Sequence, residues 1–194
     1  MLRDGCAWSF GSLIITDATV NIAPTLQDKI DIVQNTIDLA HDVGFPEVRV
    51  AILSATETPI RKYCRRSRRP RCKAVDRGQI TGALLDCPLA LDNAISPEAA
   101  SIKRIVSPVA GRANVLVVPD LEAGNMLAKS LPFLARADSA GIVLGARVRI
   151  ILTSRADSLI GSDADARLTS AGGFGQSPGR SQQKLPVFRR AFAV

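Results

Sequence analysis

An arginine and a serine follow a predicted strand, where they could bind an anion. Residues 148–153 are β-branched or aliphatic apart from one arginine, and Ser154 and Arg155 come directly after them. A guanidinium group can donate two parallel hydrogen bonds to a phosphate, and a hydroxyl group can donate a third. The strand would fix the direction of both side chains. The alternative is a surface arginine that only caps the strand end.

A second group of polar residues lies where another predicted strand passes into a helix. Residues 119–129 read PDLEAGNMLAK. Asp120, Asn125 and Lys129 could contact a ligand, and Gly124 would let the backbone approach it. The same residues are equally typical of an N-capped helix with a solvated lysine, so the pattern leaves both interpretations open.

Polar residues also follow two further predicted strands. Ser54 and Thr56 come after the strand at 48–53, a position where ligands collect in α/β sheets, although a plain turn fits as well. Asp86 and Asp92 flank the sequence CPLAL. They could orient a substrate or act as a base, but turn-forming and capping roles are more common for aspartate.

The elements that would position these residues alternate along the chain. Thr25 followed by Asp28 predicts a helix start with a capping box, and Ser96-Pro97-Glu98 predicts another helix start. A third helix is predicted at about 122–137. The predicted strands cover residues 12–17, 48–53, 80–86, 114–118 and 148–153. This alternation indicates an α/β fold of three layers, with a largely parallel sheet and helices on both faces.

Composition narrows the class of protein. The 194 residues suffice for one α/β domain or for one domain and part of another, and aromatic residues make up only 4%. No apolar run reaches the length of a membrane helix and no secretory signal is evident, so we expect a cytoplasmic protein. Four cysteines, at 6, 64, 72 and 87, and one histidine, His41, do not form a zinc pattern. We expect free thiols, no metal and a solvated His41.

The formal charge of +7 comes from one short segment. Residues 61–73, RKYCRRSRRPRCK, contain eight basic residues and no acidic one, and the rest of the chain holds 17 basic and 18 acidic residues. Clustered cations of this kind could bind nucleic acid with strong salt dependence. The segment has a single aromatic residue, Tyr63, and no recognisable fold around it, so nucleic acid is not favoured as a partner.

Five blocks of sequence resemble the phosphate acetyltransferase and phosphate butyryltransferase family. They are ITDATVNIAPTLQDKIDIVQNTIDLA at 15–40, VAILSATET at 50–58, DRGQITGALLDCPLALDNAIS at 76–96, SPVAGRANVLVVPDLEAGNMLAKSL at 107–131 and GIVLGARVRIILTSRADS at 141–158. The resemblance implies transfer of an acyl group between acyl phosphate and coenzyme A. It also implies a two-domain fold like that of isocitrate and isopropylmalate dehydrogenases, with the active site in the cleft between the domains and a homodimer formed through the second domain.

The resemblance assigns roles to the candidate residues. Ser154 and Arg155 match the family's catalytic Ser-Arg pair. The residues expected to bind coenzyme A and phosphate are Asp120, Gly124, Asn125, Lys129, Ser54, Asp86 and Asp92. Coenzyme A is a substrate, and no cofactor is expected to stay bound. The family's general base is not carried over, because Gly161-Ser162-Asp163 replaces the expected sequence and Asp157 is a weak substitute.

The chain also departs from the family pattern. We expect an irregular leader at 1–11, the second acyltransferase domain at 12–150 with 61–73 as an aberrant basic segment, and a remnant of the first domain with a disordered tail at 151–194. The basic segment and residues 161–194 have the amino-acid composition that results when GC-rich DNA is translated in the wrong reading frame. Our hypothesis is that both segments arose in this way. The resulting expectation is a truncated enzyme with weak or no activity, and the alternative is a non-catalytic dimerising fragment.

Overall fold

Strands and helices alternate along the part of the chain that the computed structural model describes, which is residues 13–55, 78–137, 139–145, 150–151 and 191–193. The strands are β1 (Leu13–Thr16), β2 (Arg49–Leu53), β3 (Leu84–Leu89), β4 (Val115–Val117), β5 (Ser139–Val143), β6 (Ile150–Ile151) and β7 (Ala191–Ala193). The helices are α1 (Leu26–Asp42), α2 (Leu91–Ile95), α3 (Pro97–Ile102) and α4 (Leu121–Ala135).

The described strands form one sheet in the order β3-β2-β4-β1-β7-β5-β6. Neighbouring strands are parallel except for β5 and β6, which are antiparallel. The predicted largely parallel sheet is therefore confirmed. The chain passes from β1 to β2 and β3, and then β4 returns to lie between β2 and β1.

Helices pack on both faces of the sheet, as predicted. On one face α1 buries Val33, Ile37 and Ala40 against alternate strand residues such as Ile14 and Val117. On the other face, helices α2, α3 and α4 contribute Ala94, Ala100 and Leu127, which pack against Ile15, Ala51 and Leu116. Strand β4 is buried at all three positions, as expected for a parallel strand covered on both sides. Burial of one such aliphatic side chain contributes about 1.5–3 kcal/mol.

Two helix starts confirm the local sequence signals. At the start of α1 the Thr25 hydroxyl accepts a hydrogen bond from the Asp28 N–H, and the Asp28 carboxylate accepts one from the Thr25 N–H at 2.8 Å. The Thr25 hydroxyl also donates to the Asp28 carboxylate at 2.7 Å. This hydrogen bond, followed by that from the Thr25 N–H, lowers the pKa of the Asp28 carboxyl below its ordinary value. At the start of α3, Ser96 accepts a hydrogen bond from the Ala99 N–H at 3.2 Å, and Pro97 occupies the first turn.

Strand β3 differs from its prediction. It begins at Leu84 instead of residue 80 and continues through Cys87 and Pro88 to Leu89. Proline cannot donate to a sheet ladder, but β3 is at the edge of the described sheet, where this is tolerated. Cys87 is disulfide-bonded, so the expectation of free thiols is wrong for this residue. That expectation was based on an assumed reducing compartment.

Three further elements were not predicted. Helix α2 has only five residues and no side-chain cap. Strand β5 contains alanine and glycine, which have low strand propensity. Strand β7 lies within the segment for which a disordered tail was predicted. Of the predicted strand at 148–153, the structure describes only Ile150 and Ile151, which pair with β5. Within the described ranges no helix is long and apolar enough to cross a membrane.

Candidate active site

The carboxyl ends of the parallel strands meet along one edge of the sheet. Val117 in β4 pairs with Thr16 in β1 and with Ile52 in β2. The residues that follow these strands therefore share an edge, and Ser54 and Asp120 are among them. The Ser54 N–H donates to the Leu89 carbonyl at 2.9 Å, which joins the ends of β2 and β3. Ligands of open α/β sheets bind at such edges, next to the point where the strand order reverses.

Helix α4 starts at this edge and presents its N-terminus there. The Asp120 carboxylate caps the helix by accepting a hydrogen bond from the Ala123 N–H at 2.9 Å. Asn125 is half-buried in the second turn, and Lys129 lies one turn further on and is exposed. The N-terminus of a fifteen-residue helix carries partial positive charge and favours anions. Asp120, Asn125 and Lys129 are thus brought onto one helix that begins at the sheet edge.

Gly124 has a packing role in the structure. A Cβ atom at this position would lie 2.6 Å from Val118 Cγ2 and 2.8 Å from Ala18 Cα. The glycine therefore lets α4 approach the loop between β1 and α1. The role in ligand binding assigned to Gly124 stays a prediction.

Lys29 is a residue at this edge that the sequence analysis did not single out. Its side chain is 2% exposed, and its Nζ donates to the Val118 carbonyl at 2.6 Å and to the Pro119 carbonyl at 2.7 Å. Both carbonyl groups belong to the turn between β4 and α4. A signal was present in the sequence, because Lys29 lies three residues after Leu26 and four before Val33, on the apolar stripe of α1.

Asp17 was also missed as a site residue. It follows β1 directly, has φ of 64° and is 5% exposed. Its Oδ1 accepts hydrogen bonds from the N–H and the side-chain amide of Asn21, both at 3.1 Å. Aspartate is one of the few residues that adopt a left-handed conformation readily. This turn directs the chain from β1 into the loop that contacts α4.

Of the two aspartates around CPLAL, one lies inside β3 and the other lies in the helix that follows it. Asp86 was predicted at the end of a strand, but β3 continues to Leu89 and places Asp86 inside the strand, opposite Ala51. Its Oδ1 accepts a hydrogen bond from the Cys87 N–H at 2.7 Å. Asp92 is exposed at the start of α2 and forms an ion pair with Lys103 at 3.1 Å. The hydrogen bond from Lys103 is the main cause of a lowered pKa of the Asp92 carboxyl.

Several candidate residues lie outside the described part of the chain: Ser154, Arg155, Thr56, Asp157 and the basic segment 61–73. The binding of an anion by Ser154 and Arg155 therefore stays a prediction. His41 is exposed on α1, and its Nε2 is 2.7 Å from the Gly82 carbonyl. Among the described residues no cluster of three or more histidine, cysteine or acidic residues is suited to a metal ion.

Comparison with known proteins gives consistent matches. A family model described as "Phosphate acetyl/butaryl transferase" matches residues 6–161. The phosphate acetyltransferase of Rhizobium meliloti is 62% identical over 149 residues, which are 76% of this chain and 47% of that protein. The probable phosphate butyryltransferase of Bacillus subtilis is 45% identical over 147 residues, which are 75% of this chain and 49% of that protein.

A solved structure matches as well. The branched-chain phosphotransacylase from Enterococcus faecalis V583 superposes with a TM-score of 0.65 at 34% identity, covering 81% of this chain and 58% of that one. The chain spans about half the length of the curated relatives it matches.

Proposed function

This chain belongs to the phosphate acetyl/butaryl transferase family, and from that premise we propose that it takes part in moving an acyl group between an acyl phosphate and coenzyme A. The family match over residues 6–161 is the observation that carries the proposal. The sheet edge supports it, because Ser54, the Asp120-capped start of α4 and Asn125 lie where α/β proteins bind ligands. The finer expectation, a two-domain arrangement like that of isocitrate and isopropylmalate dehydrogenases, is part of the same proposal.

The proposed reaction is attack of the coenzyme A thiolate on the acyl carbonyl carbon. A carbon–sulfur bond forms, the bond from carbon to the phosphate oxygen breaks, and inorganic phosphate leaves with the electron pair. The thiol must first lose its proton, since a free thiol has a pKa of about 8.5. The leaving phosphate needs hydrogen-bond donors and positive charge, and the developing oxyanion needs donors held in place.

The residues divide between these tasks. The Asn125 amide supplies a hydrogen-bond donor for the phosphate group, whereas the Leu121 and Ala123 N–H groups at the start of α4 already donate to Ile22 and Asp120. The Ser154-Arg155 pair lies outside the described residues, and the resemblance to the family implies that it adds a hydroxyl group and a guanidinium group to the site. Lys129 is exposed one turn after Asn125 and attracts the phosphates of coenzyme A. Asp120 acts through the helix, because its carboxylate caps the first turn of α4.

A turnover assay with purified chain tests the proposal. Acetyl phosphate, butyryl phosphate and coenzyme A would be mixed, and formation of the acyl thioester followed. We expect Asn125→Ala and Arg155→Gln to lower kcat/KM at least about tenfold, the scale of one lost charge-assisted hydrogen bond. Gln27→Met, on the exposed side of α1, is the matched control and is expected to leave kcat/KM unchanged. Absence of both thioester formation and coenzyme A binding would contradict the proposal.

We also propose that these 194 residues alone are far less active than a full-length relative. The chain aligns with only 47% of the Rhizobium meliloti protein, so groups that the rest of that protein contributes have no aligned counterpart here. Turnover equal to that of a full-length family member would overturn this part of the proposal. The alternative function is that of a non-catalytic dimerising fragment, which would bind a second copy and lack turnover.

Association with a second copy has its own structural support. Met126, Phe133 and Leu134 on α4 are 67%, 71% and 83% exposed. Large apolar side chains exposed together on one helix favour protein contacts. Light scattering after size-exclusion chromatography tests this, with a dimer mass expected for the wild type and a monomer mass for Phe133→Ser. A monomer mass for the wild type at every concentration would contradict the homodimer.

A further inference from the structure

A buried ammonium group holds the turn at which α4 begins. Lys29 projects from the first turn of α1, and its Nζ is 2.6 Å from the Val118 carbonyl oxygen and 2.7 Å from the Pro119 carbonyl oxygen. Hydrogen bonds from a charged donor are shorter and stronger than those between neutral groups. One side chain of α1 therefore fixes two successive peptide groups in the turn that precedes α4.

Burial of a lysine at this position costs desolvation free energy unless the ammonium group gains compensating interactions. The residue is 2% exposed and lies on the apolar stripe of α1, beside the half-buried Ile30 and one turn before the buried Val33. An apolar residue would avoid the desolvation of the ammonium group altogether. Packing of α1 thus does not explain a lysine here, whereas the two carbonyl contacts do.

The contacts are made immediately before the helix. Pro119 precedes Asp120, the N-cap residue of α4. The Leu121 N–H also donates to the Ile22 carbonyl at 3.2 Å, and Gly124 packs against Ala18. The turn and the start of α4 are therefore held by α1 and by the loop between β1 and α1. Its position decides where the first turns of α4 point.

We propose that Lys29 is a positioning residue: by binding the Val118 and Pro119 carbonyls it orients the start of α4, and with it the Asn125 amide, toward the phosphate group of the acyl phosphate. The proposal rests on the function proposed above, since it assigns a task in substrate binding. Lys29 itself is buried and does not touch the substrate.

Kinetics of three variants test the proposal. Lys29→Met keeps the length of the side chain and removes both hydrogen bonds, Lys29→Arg retains donors and charge, and Gln27→Met is the matched control on the exposed side of the same helix. We expect Lys29→Met to raise KM for acyl phosphate about tenfold, the scale of one weakened hydrogen bond to a charged phosphate group. Lys29→Arg should recover most of this loss, and Gln27→Met should have the wild-type KM. A Lys29→Met protein with a lowered Tm and an unchanged KM would overturn the proposal.

Hydrogen exchange separates this proposal from the assignment of the reaction. In Lys29→Met we expect the amides of residues 121–124 to exchange faster than in the wild type, while those of residues 36–40 in α1 keep their rates. This comparison needs no turnover, so a wild-type chain that is inactive contradicts the proposed reaction and leaves the positioning role measurable. Equal exchange at 121–124 in both proteins would overturn the positioning role.

A measurement on the wild type covers the case in which Lys29→Met does not fold. In nitrogen-detected spectra of the lysine side chains, the Lys29 ammonium protons should exchange with water more slowly than those of the exposed Lys129. A Lys29 ammonium group that exchanges as fast as that of Lys129 would overturn the proposal, because the two hydrogen bonds on which it rests would not persist in solution.

Discussion

Gly124 in α4 and Ala18 after β1 approach each other so closely that a Cβ atom on Gly124 would lie 2.8 Å from the Ala18 Cα. The same Cβ atom would lie 2.6 Å from Val118 Cγ2. Distances of this size force the backbone of one element to move. The position of the start of α4 therefore depends on the absence of a side chain at Gly124 as well as on the contacts that the helix makes.

Gly124→Ala is expected to destabilise the protein. Helix propensity alone would favour alanine by about 1 kcal/mol, but overpacking against a backbone atom costs typically about 1–3 kcal/mol. We expect the overpacking to prevail and the free energy of unfolding, measured in urea, to fall. Lys129→Ala, at an exposed position of the same helix, is the control and should change it little. A more stable Gly124→Ala protein would show that α4 can move without cost.

A buried pair of hydroxyl groups links β1 to α1. Thr16 and Thr36 are 2% and 0% exposed, and their Oγ1 atoms are 3.0 Å apart. Thr36→Val leaves the Thr16 hydroxyl buried without this partner, so we expect a loss of about 1–3 kcal/mol in the free energy of unfolding. The double variant Thr16→Val with Thr36→Val should recover most of the loss, since no orphan hydroxyl then remains. Equal stabilities for the single variant and the wild type would contradict the pairing.

The capping box of α1 should make stability depend on acid pH. The Thr25 hydroxyl and N–H hold the pKa of the Asp28 carboxyl below its ordinary value of 3.8. A lowered folded-state pKa means that the carboxylate stabilises the fold above the ordinary value and that this contribution is lost as the pH falls through the folded-state pKa. Asp28→Ala should therefore unfold at lower urea than the wild type at pH 7, and the difference should shrink below pH 3.8. The control is Asp31→Ala, exposed on the same helix.

A comparison of two variants decides between the roles of Asp92. The carboxylate is exposed and paired with Lys103, which lowers the pKa of Asp92. If this ion pair is its whole role, Asp92→Asn and Lys103→Gln should have the same kcat/KM, within about twofold of the wild type, because exposed ion pairs contribute little. We expect this result in the turnover assay. A loss confined to Asp92→Asn would assign the carboxylate to substrate binding instead.

Local sequence signals predicted those parts of the fold that local interactions determine. Thr25 and Asp28 form their capping box, Ser96 and Pro97 start a helix, and the aliphatic runs around β1, β2 and β4 are strands. The prediction failed for β3, which starts later than predicted and continues through Pro88 to Leu89, because an edge strand accommodates a proline. It also missed α2, because five residues without a side-chain cap offer no signal.

Only those site residues that follow a predicted strand could be placed from the sequence. Ser54 and Asp120 follow parallel strands and reach one edge, as the topology requires. The place of Lys29 on the apolar stripe of α1 was a signal of burial, but its hydrogen-bond partners were not predictable, because they lie 89 and 90 positions away. The packing of Gly124 against Ala18 is equally non-local. The sequence therefore predicted for Gly124 only that its backbone could approach a ligand.

The return of β4 to a place between β1 and β2 has a consequence for how the protein acquires its fold. During synthesis β1, β2 and β3 leave the ribosome well before β4, and β1 cannot pair directly with β2 without occupying the place that β4 must take. The earlier strands therefore expose unpaired edges until Val115–Val117 has been translated. Non-local parallel pairing of this kind slows folding and exposes the nascent chain to aggregation.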